Sequence, residues 1–374
     1  MQFPNEIQAA LLFDRRVDTL EAMVRDFLRI EETRSGARFN VPEANPGVFY
    51  RLFGGDELMI TLEYLDHPAN PAIFQQVLGS MITGIMCPDI RERLMKSRSH
   101  ILINVSHGVL GSSPEIAQLM AQLGRPMEGA SLPQFIRRLD VCALISRIVC
   151  DRAPAQAVHW TQSNQLLPGD MFEQAAAMEA PSPLHIHPYL FGNAKGKDGQ
   201  PRVGIRTFGA RHFIGREVLV EPSILPWAAN FETILAFLRV ATTKNGYIIS
   251  DGDTFGPEDR SKLYRVLHRE AEEGDVPLCE LVPLMHRDHG FVAEGYVPPE
   301  RLIDQRMPPL EVMPEDDETK MELVNEWREK RARAEGIGGR FEVRAWDQGD
   351  GSAPPARPSG PGFGGRPVFG RRKA

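Results

Sequence analysis

Two short groups of histidines are the residues best suited to chemistry in this sequence. His185 and His187 occur in the tetrapeptide HIHP. Residues at i and i+2 of a strand face the same side, so a strand would present both imidazoles to one metal ion. Pro183 and Pro188 flank the pair and favour a loop. A structural zinc site needs four ligands, and a catalytic one needs three and an open position. The pair leaves both interpretations open and favours the loop.

The second group is MHRDHG, which contains His286, Asp288 and His289. It lacks the HExxH spacing that places two ligands on one helix face, and its charge is typical of a solvated turn.

The segment SDGDTFG contains Asp251 and Asp253, whose carboxylates are hard ligands of the kind that divalent cations prefer. It lacks the length and the remaining oxygens of a calcium loop. A tight Asp-Gly turn is therefore the favoured interpretation.

Motifs for covalent catalysis and for phosphate binding are missing from the sequence. There is no GxSxG nucleophile elbow, and no GxxxxGK[ST] or GxGxxG motif lies between a predicted strand and a predicted helix. The glycines of FGARHFIGRE are expected to let two strands reverse direction. The sequence therefore assigns no catalytic residue, no cofactor-binding residue and no metal ligand, and it predicts no cofactor.

The composition is that of a globular protein with an acidic balance. The chain has 374 residues, of which 42% are hydrophobic and 25% charged, with a formal net charge of -7. These proportions are close to those of ordinary globular domains. Binding to nucleic acid requires a concentrated surface of lysine and arginine, so a nucleic-acid binder is disfavoured.

Cysteine usage and apolar patterning bear on the cellular setting. The four cysteines show no CxxC spacing and are predicted to be buried free thiols in a reducing compartment; they are Cys87, Cys142, Cys150 and Cys279. The stretch MQFPNEIQAALLFDRR lacks the pattern of a signal peptide. No apolar run approaches the roughly 18 uncharged residues that span a bilayer. We therefore expect a cytoplasmic protein without membrane insertion.

The order of predicted elements occurs twice, in residues 1–108 and in residues 153–312. Each half is expected to contain a strand, a helix, two strands, a second helix and a last strand. In the first half these are IQAALLF, VDTLEAMVRDFLRI, PGVFYRLFGG, ELMITLEYL, PAIFQQVLGSMITG and HILINVSHG. In the second they are AQAVHW, PGDMFEQAAAME, RVGIRTFG, FIGREVLVEP, AANFETILAFLRVATTKNG and YIISDGDTFG. The predicted fold class is α+β, with two ferredoxin-like β-α-β-β-α-β halves and antiparallel sheets.

The remaining residues are predicted to form connecting helices and a tail. Residues 109–152 are expected to be a helical connector that contains the apolar-faced helix SLPQFIRRLDVCALISRIVCDRA. Residues 257–272 predict a charged amphipathic helix, and the following CELVPLM predicts an edge strand. Residues 313–338 contain acids first and bases last, which suits the dipole of a helix. Residues 349–374 are rich in proline and glycine and predict a disordered basic tail.

Three stretches carry a resemblance to a known family: AVHWTQSNQLLPGDMF, GARHFIGREVLVEPS and IISDGDTFG. Through them, residues 155–285 resemble the bacterial family called domain of unknown function 4261, and the first half is similar to the N-terminal portion that accompanies it. The resemblance implies a fold and a bacterial cytosolic setting but no reaction, and it transfers no catalytic residue. The region after Met285 departs from the shorter form of the family.

These observations favour a non-enzymatic binding or interaction protein with a protein partner. Immunity-type proteins linked to bacterial secretion systems are similar small α+β proteins, so neutralising a toxin or serving such a system is the concrete version of this hypothesis. The alternative is a metal-dependent hydrolase or other enzyme that uses the His185/His187 region with Asp251 and Asp253. A third hypothesis is contact of the basic tail with nucleic acid or a membrane surface. The oligomeric state is not indicated.

Overall fold

The computed structural model of the chain describes residues 3–107 except 56, and residues 131–296 except 193–194, 196–198, 200, 244–247, 258 and 272–274. These residues form two β-sheets with helices packed on them, which confirms the α+β class. The predictions for the first part of the connector, for the helix at 313–338 and for the tail at 349–374 lie outside the described residues. The domain boundaries remain predictions.

Strands and helices follow one another along the chain in a mixed order. The strands are β1 (Glu6–Phe13), β2 (Phe39–Asn45), β3 (Phe49–Gly54), β4 (Leu58–Leu65), β5 (Ser99–His107), β6 (Ala157–Trp160), β7 (Gln165–Leu167), β8 (His187–Phe191), β9 (Val203–Phe208), β10 (Glu217–Ser223), β11 (Thr254–Phe255), β12 (Lys262–Arg269), β13 (Leu278–His286) and β14 (Phe291–Val292). The helices are α1 (Leu20–Ser35), α2 (Gln75–Leu78), α3 (Met81–Met86), α4 (Ile90–Lys96), α5 (Leu132–Arg152), α6 (Gly169–Ala176), α7 (Arg211–Ile214) and α8 (Trp227–Thr243). Short 3₁₀ helices span Pro71–Phe74 and Arg287–His289.

The first sheet runs β2-β3-β4-β5-β1-β6-β7, and all of its neighbouring strands are antiparallel. In β4 the residues on one face are buried and those on the other are partly exposed, as expected when one face covers a core. Helix α1 buries Leu20, Met23, Val24 and Phe27 at helical spacing, and it ends where Gly36 adopts a left-handed conformation with φ of 72°.

The ferredoxin-like order of the first sheet is not confirmed. That order would place β1 between β5 and β4, whereas here β5 lies between β4 and β1. The other neighbour of β1 is β6, which opens the predicted second half. Apolar patterning indicates that a strand forms, but the choice of neighbour depends on contacts far apart in sequence, so the pattern alone does not determine the order.

The second sheet runs β11-β12-β13-β10-β9-β8, and β14 also pairs with β13. Strands β10 and β13 are parallel, so the prediction of an antiparallel sheet is wrong for this pair. The prediction of an edge strand at CELVPLM is also wrong, because β13 lies between β12 and β10. Its Cys279 and Leu281 are fully buried, as suits an interior strand.

Two further predictions for the second half are wrong. Residues 257–272 contain β12 instead of a helix, because β12 pairs with β13 along its length and directs Tyr264 and Val266 into the core. The predicted closing strand is reduced to β11. Before it, Asp251 accepts a hydrogen bond from the backbone N–H of His268 at 2.7 Å, and Gly252 has a φ of 82°. This is the tight Asp-Gly turn that the sequence favours over a cation site.

Both sheets contribute to one continuous core. Helix α5, which the sequence predicts, begins with a capping box in which Ser131 and Gln134 bond reciprocally. Its Phe135 contacts Phe213 of the second half, with ring centroids 5.4 Å apart. All four cysteines are buried and free, as predicted. Among the described helices, none has the length and apolarity that a membrane span requires.

Candidate functional site

A segment of short helices, residues 71–96, connects β4 to β5 and is called the short-helix segment below. The sequence predicts one helix here, but Ser80 has an extended backbone (φ −74°, ψ 130°) that separates α2 from α3. The inner side of the segment packs on the first sheet. The buried residues of this small cluster are Phe74, Val77, Cys87 and Ile90 from the segment and Leu12, Ala157 and Leu166 from the sheet.

The outer side of the same segment exposes large apolar side chains. Met81 and Ile85 are 51% and 50% exposed, and at i and i+4 they lie on one face of α3. Met95 on α4 is 80% exposed. The five side chains that define the outer surface of the segment are Ile73, Met81, Ile85, Met86 and Met95.

Ser80 connects the short-helix segment to the second sheet. It occupies the N-cap position of α3, yet its side chain makes no capping hydrogen bond. Its hydroxyl instead lies 2.8 Å from Nε2 of His187, the first residue of β8, and both residues are buried. The His187 ring stacks on Tyr189 with centroids 4.4 Å apart. Burial lowers the pKa of His187 to about 4, while the Asn164 backbone acts in the opposite direction.

The turn between β6 and β7 brings further polar groups against His187. Asn164 adopts a left-handed conformation with φ of 49°, which asparagine tolerates better than most residues. Its Oδ1 lies 3.2 Å from Nε2 of His159. Burial lowers the pKa of His159, and the bond to Asn164 raises it.

The turn before β8 is fastened to the β6–β7 hairpin by buried side chains. The Gln165 side-chain amide donates to the carbonyls of Pro183 at 2.6 Å and Leu184 at 2.9 Å, and the Ser163 hydroxyl donates to the Leu184 carbonyl at 2.6 Å. The Gln162 amide donates to the His185 carbonyl. Three hairpin residues, Gln162, Ser163 and Gln165, therefore hold the turn that contains His185 and leads to His187 in β8.

The hydrogen bonds of His185 fix the position of its proton. The backbone N–H of Ser182 donates to Nδ1 at 3.2 Å, so Nδ1 is unprotonated and Nε2 carries the hydrogen. In the described chain Nε2 is buried without a hydrogen-bond partner. The ring packs edge-on against Trp160 and Phe213. Burial lowers the pKa of His185 to about 3, which keeps the ring neutral.

Glu217 is a buried carboxyl group beside this turn. It accepts hydrogen bonds from the Thr207 hydroxyl at 2.8 Å and from the backbone N–H groups of Gly209 at 3.0 Å and Ala210 at 3.1 Å. Burial raises the pKa of Glu217 to about 7, and these donors act against the rise. Gly209 has a φ of 108°, and a Cβ there would lie 2.4 Å from the His185 carbonyl oxygen.

The eight residues of this polar cluster come from both halves of the chain: Ser80, His159, Ser163, Asn164, Gln165, Ser182, His185 and His187. The structure brings His185 and His187 close in the fold but gives them different partners. Asp251 serves its own turn instead. Within the described ranges, no three His, Cys, Asp or Glu side chains meet in a way that could hold a metal ion.

The second histidine group is a turn, as the sequence favours. Residues Arg287–His289 form a single 3₁₀ turn after β13. The rings of His286 and His289 lie 4.5 Å apart. Burial and the neighbouring His289 lower the pKa of His286. These contacts stack two imidazoles at the end of a strand and gather no further ligand in the described chain.

Neither hydroxyl nor thiol groups of the cluster region are set up for nucleophilic chemistry. The Ser80–His187 pair has the distance of a nucleophile and its base, but both residues are buried. In the short-helix segment, burial raises the pKa of Cys87 to about 11. In the main core, burial raises the pKa values of Cys150 and Cys279 to about 12. These thiols stay protonated at neutral pH, so the arrangement suits positioning better than covalent catalysis.

An open groove of about 500 Å³ lies elsewhere, between α5 and α8. Its lining comprises Leu132, Pro133, Ile136, Arg137, Asp140, Thr242 and Thr243. Its charged groups are already partnered: Arg137 pairs with the buried Glu31 at 2.5 Å, and Asp140 lies 3.9 Å from Arg34. The groove is therefore a concave surface whose charged side chains already pair with other residues.

Sequence reasoning identified two of the cluster histidines and missed Ser80, Asn164 and Glu217. Ser80 had one signal, a Gly-Ser pair inside an apolar helical pattern, which marks a break. Comparison with protein-family models, with curated proteins and with solved structures found no match to this chain. The resemblance to the domain of unknown function 4261 family stays a prediction.

Proposed function

We propose that the chain is a non-enzymatic interaction protein that binds a protein partner through the outer surface of the short-helix segment. The observation that carries the proposal is the paired exposure of Met81 and Ile85 on one face of α3. Clusters of exposed apolar side chains are typical of binding surfaces. Methionine adapts its shape readily and is favoured where a surface must fit a partner.

The use of the buried polar groups supports the same proposal. The side chains of Gln165 and Ser163 bond to backbone carbonyls, and those of Ser182 and Ser80 bond to imidazoles. Groups engaged in this way hold turns together and are not free to face a substrate. The cluster thus serves to position the short-helix segment against the second sheet.

The concrete version of the proposal is an immunity-type or secretion-system protein of the bacterial cytoplasm. This version comes from the resemblance and from cysteine usage, and it names the class of partner as a toxin or a component of such a system. The genes that neighbour the coding sequence provide a direct test, because immunity proteins are encoded beside their toxins.

The binding surface is tested by co-purification from the native cell at native expression. The double variant Met81→Glu, Ile85→Glu places two charges on the outer surface. Met178→Glu with Ile224→Glu is the matched control, because it changes the same two residue types at sites 48% and 45% exposed outside the segment. We expect a stoichiometric partner with the wild type and the control, and at least a tenfold loss with the surface variant.

Two results would contradict the proposal: recovery of no partner by the wild-type chain, or equal recovery by the surface variant. Both variants change exposed side chains, so their unfolding curves should match that of the wild type. A surface variant that unfolds earlier than the control would require a milder pair, Met81→Gln with Ile85→Gln.

The enzyme hypothesis gains no specific observation from the fold. His185 and His187 are neutral and buried, and Asp251 is bound to the backbone of His268. Elemental analysis of the purified protein remains its test, and a stoichiometric metal lost in His187→Ala would revive it. Contact of the tail with nucleic acid or a membrane surface concerns residues outside the described chain.

A further inference from the structure

The short-helix segment is fastened to the body of the protein by apolar and polar contacts. Its inner cluster packs on the first sheet through a few apolar side chains, and Ile82 of α3 joins the main core. The hydroxyl of Ser80 meets His187 of the second sheet, 107 residues away in the chain. A small apolar cluster and a buried polar contact are typical of an element that opens locally at less cost than global unfolding.

We propose that the Ser80–His187 contact is an acid-sensitive latch, which keeps the short-helix segment closed while His187 is neutral and releases it when His187 is protonated. The inference rests on the proposed function, because the segment carries the proposed binding surface, and it adds a regulation to that surface. Closing and opening would change how α3 is presented to a partner.

The groups around His187 explain why a proton would open the contact. The His187 ring contacts the Ser80 hydroxyl, the Tyr189 ring and the turn at Asn164. Across the sheet, His187 pairs with Phe208. These groups are uncharged at neutral pH. Charged groups of the network act on other residues: burial and, to a smaller extent, Glu217 raise the pKa of Tyr189, and Arg211 lies 4.0 Å from Glu217.

The energy of opening comes from burying a cation, not from losing the hydrogen bond. A serine hydroxyl both donates and accepts, so Ser80 can also bond to the protonated ring. A buried imidazolium without an anion is costly, and opening α3 away from β8 lets water reach the ring. The opened segment therefore binds a proton more readily than the closed one.

The linkage between protonation of His187 and opening of the short-helix segment sets the size of the pH effect. With a pKa of about 4 when closed and about 6.5 when solvated, the opening equilibrium rises about 20-fold between pH 7 and pH 5. The sign follows because the open state binds more protons across this range. Little change is expected above pH 7, where both states are neutral.

Hydrogen exchange of the full chain tests the latch. The amides of Gly84 and Cys87 bond within α3 to Ser80 and Thr83 and report opening, while amides of α5 report global unfolding. After correction for intrinsic exchange, we expect the α3 amides to exchange about 20-fold faster at pH 5 than at pH 7, and to exchange faster than the α5 amides at both pH values.

His187→Gln is the matched variant, because its side-chain amide reaches the position of Nε2 and pairs with Ser80 but does not titrate. Its α3 amides should show wild-type protection at pH 7 and no acid response. Ser80→Ala should expose α3 at both pH values and keep the acid response.

Three results would overturn the latch: no acid response of the wild-type α3 amides, α3 amides that exchange no faster than the α5 amides, or a wild-type response in His187→Gln. Comparing the exchange rates of the α3 and α5 amides in the wild type tests the latch even if the variant does not fold. Exchange needs no partner, so the latch and the proposed binding surface can fail separately.

Discussion

The hydrogen bonds of His159, His185 and His187 go to hydroxyl, amide and backbone groups, not to carboxylates, in the described chain. Burial disfavours the charged form of each ring. Imidazoles in such surroundings act as fixed donors and acceptors that tie turns together. At the level of the residue, the hydrogen bonds of these three rings are therefore directed to the turns around them.

Acid should destabilise the folded protein through these rings. Their folded pKa values lie below the unfolded value of about 6.5, so the unfolded state binds more protons and stability falls as pH drops below 6.5. His185 and His187 should each cost about 2 kcal/mol of unfolding free energy at pH 5. Urea unfolding at pH 7.5 and pH 5 measures the loss, and His185→Gln with His187→Gln should reduce it. The same loss in this double variant would show that other groups cause it.

Removing the Ser80 hydroxyl should destabilise the chain. Ser80→Ala leaves Nε2 of His187 without its partner, and an unsatisfied buried polar group costs about 1–3 kcal/mol. Urea unfolding at pH 7.5 measures the change. The control is Met95→Ala, a substitution in the same segment at a site 80% exposed, for which we expect almost no effect. Equal midpoints for the two variants would contradict the account.

Elements near the cluster depend on backbone positions that only glycine fills well. Gly209→Ala should destabilise by about 2–4 kcal/mol, because its φ of 108° and the contact with the His185 carbonyl oxygen both oppose a Cβ. Gly84→Ala in α3 is the converse case, since nothing lies within 4 Å of its added Cβ. It should stabilise by about 0.5–1 kcal/mol through helix propensity. Thermal or urea unfolding of both variants tests the opposite signs.

Elements whose apolar residues recur with a clear period could be predicted from the sequence. Elements whose conformation depends on pairing with a distant strand could not. The apolar face of α5 and the alternation in β4 specify their structure locally. β12 was mistaken for a helix because its charges recur at helical spacing, while its pairing with β13 decides its conformation. The parallel pairing of β10 with β13 and the Ser80–His187 contact join distant parts of the chain, so local pattern could not reveal them.

Across the whole molecule, the polar cluster lies where the two sheets meet. Strands β6 and β7 belong to the first sheet through the pairing of β6 with β1, while β8 belongs to the second. The β6–β7 hairpin holds the turn that leads into β8, and Ser80 reaches β8 from the short-helix segment. The cluster therefore joins three parts of the fold, and its protonation affects their common stability.

Across the whole molecule, protonation of Glu217 should oppose the acid sensitivity of the histidines. Burial raises the pKa of Glu217 to about 7, above its unfolded value of about 4.3. Its contribution to stability is present below pH 4.3 and is lost as pH rises through 7, because the folded state must then bury a carboxylate. Glu217→Gln imitates the neutral acid at every pH, so the stability of the wild type relative to this variant should fall by about 2–3 kcal/mol between pH 5 and pH 8. Urea midpoints measured across this range for both proteins provide the test. A difference between the two proteins that stays constant over this range would show that the hydrogen bonds from Thr207, Gly209 and Ala210 offset the cost of burying the carboxylate.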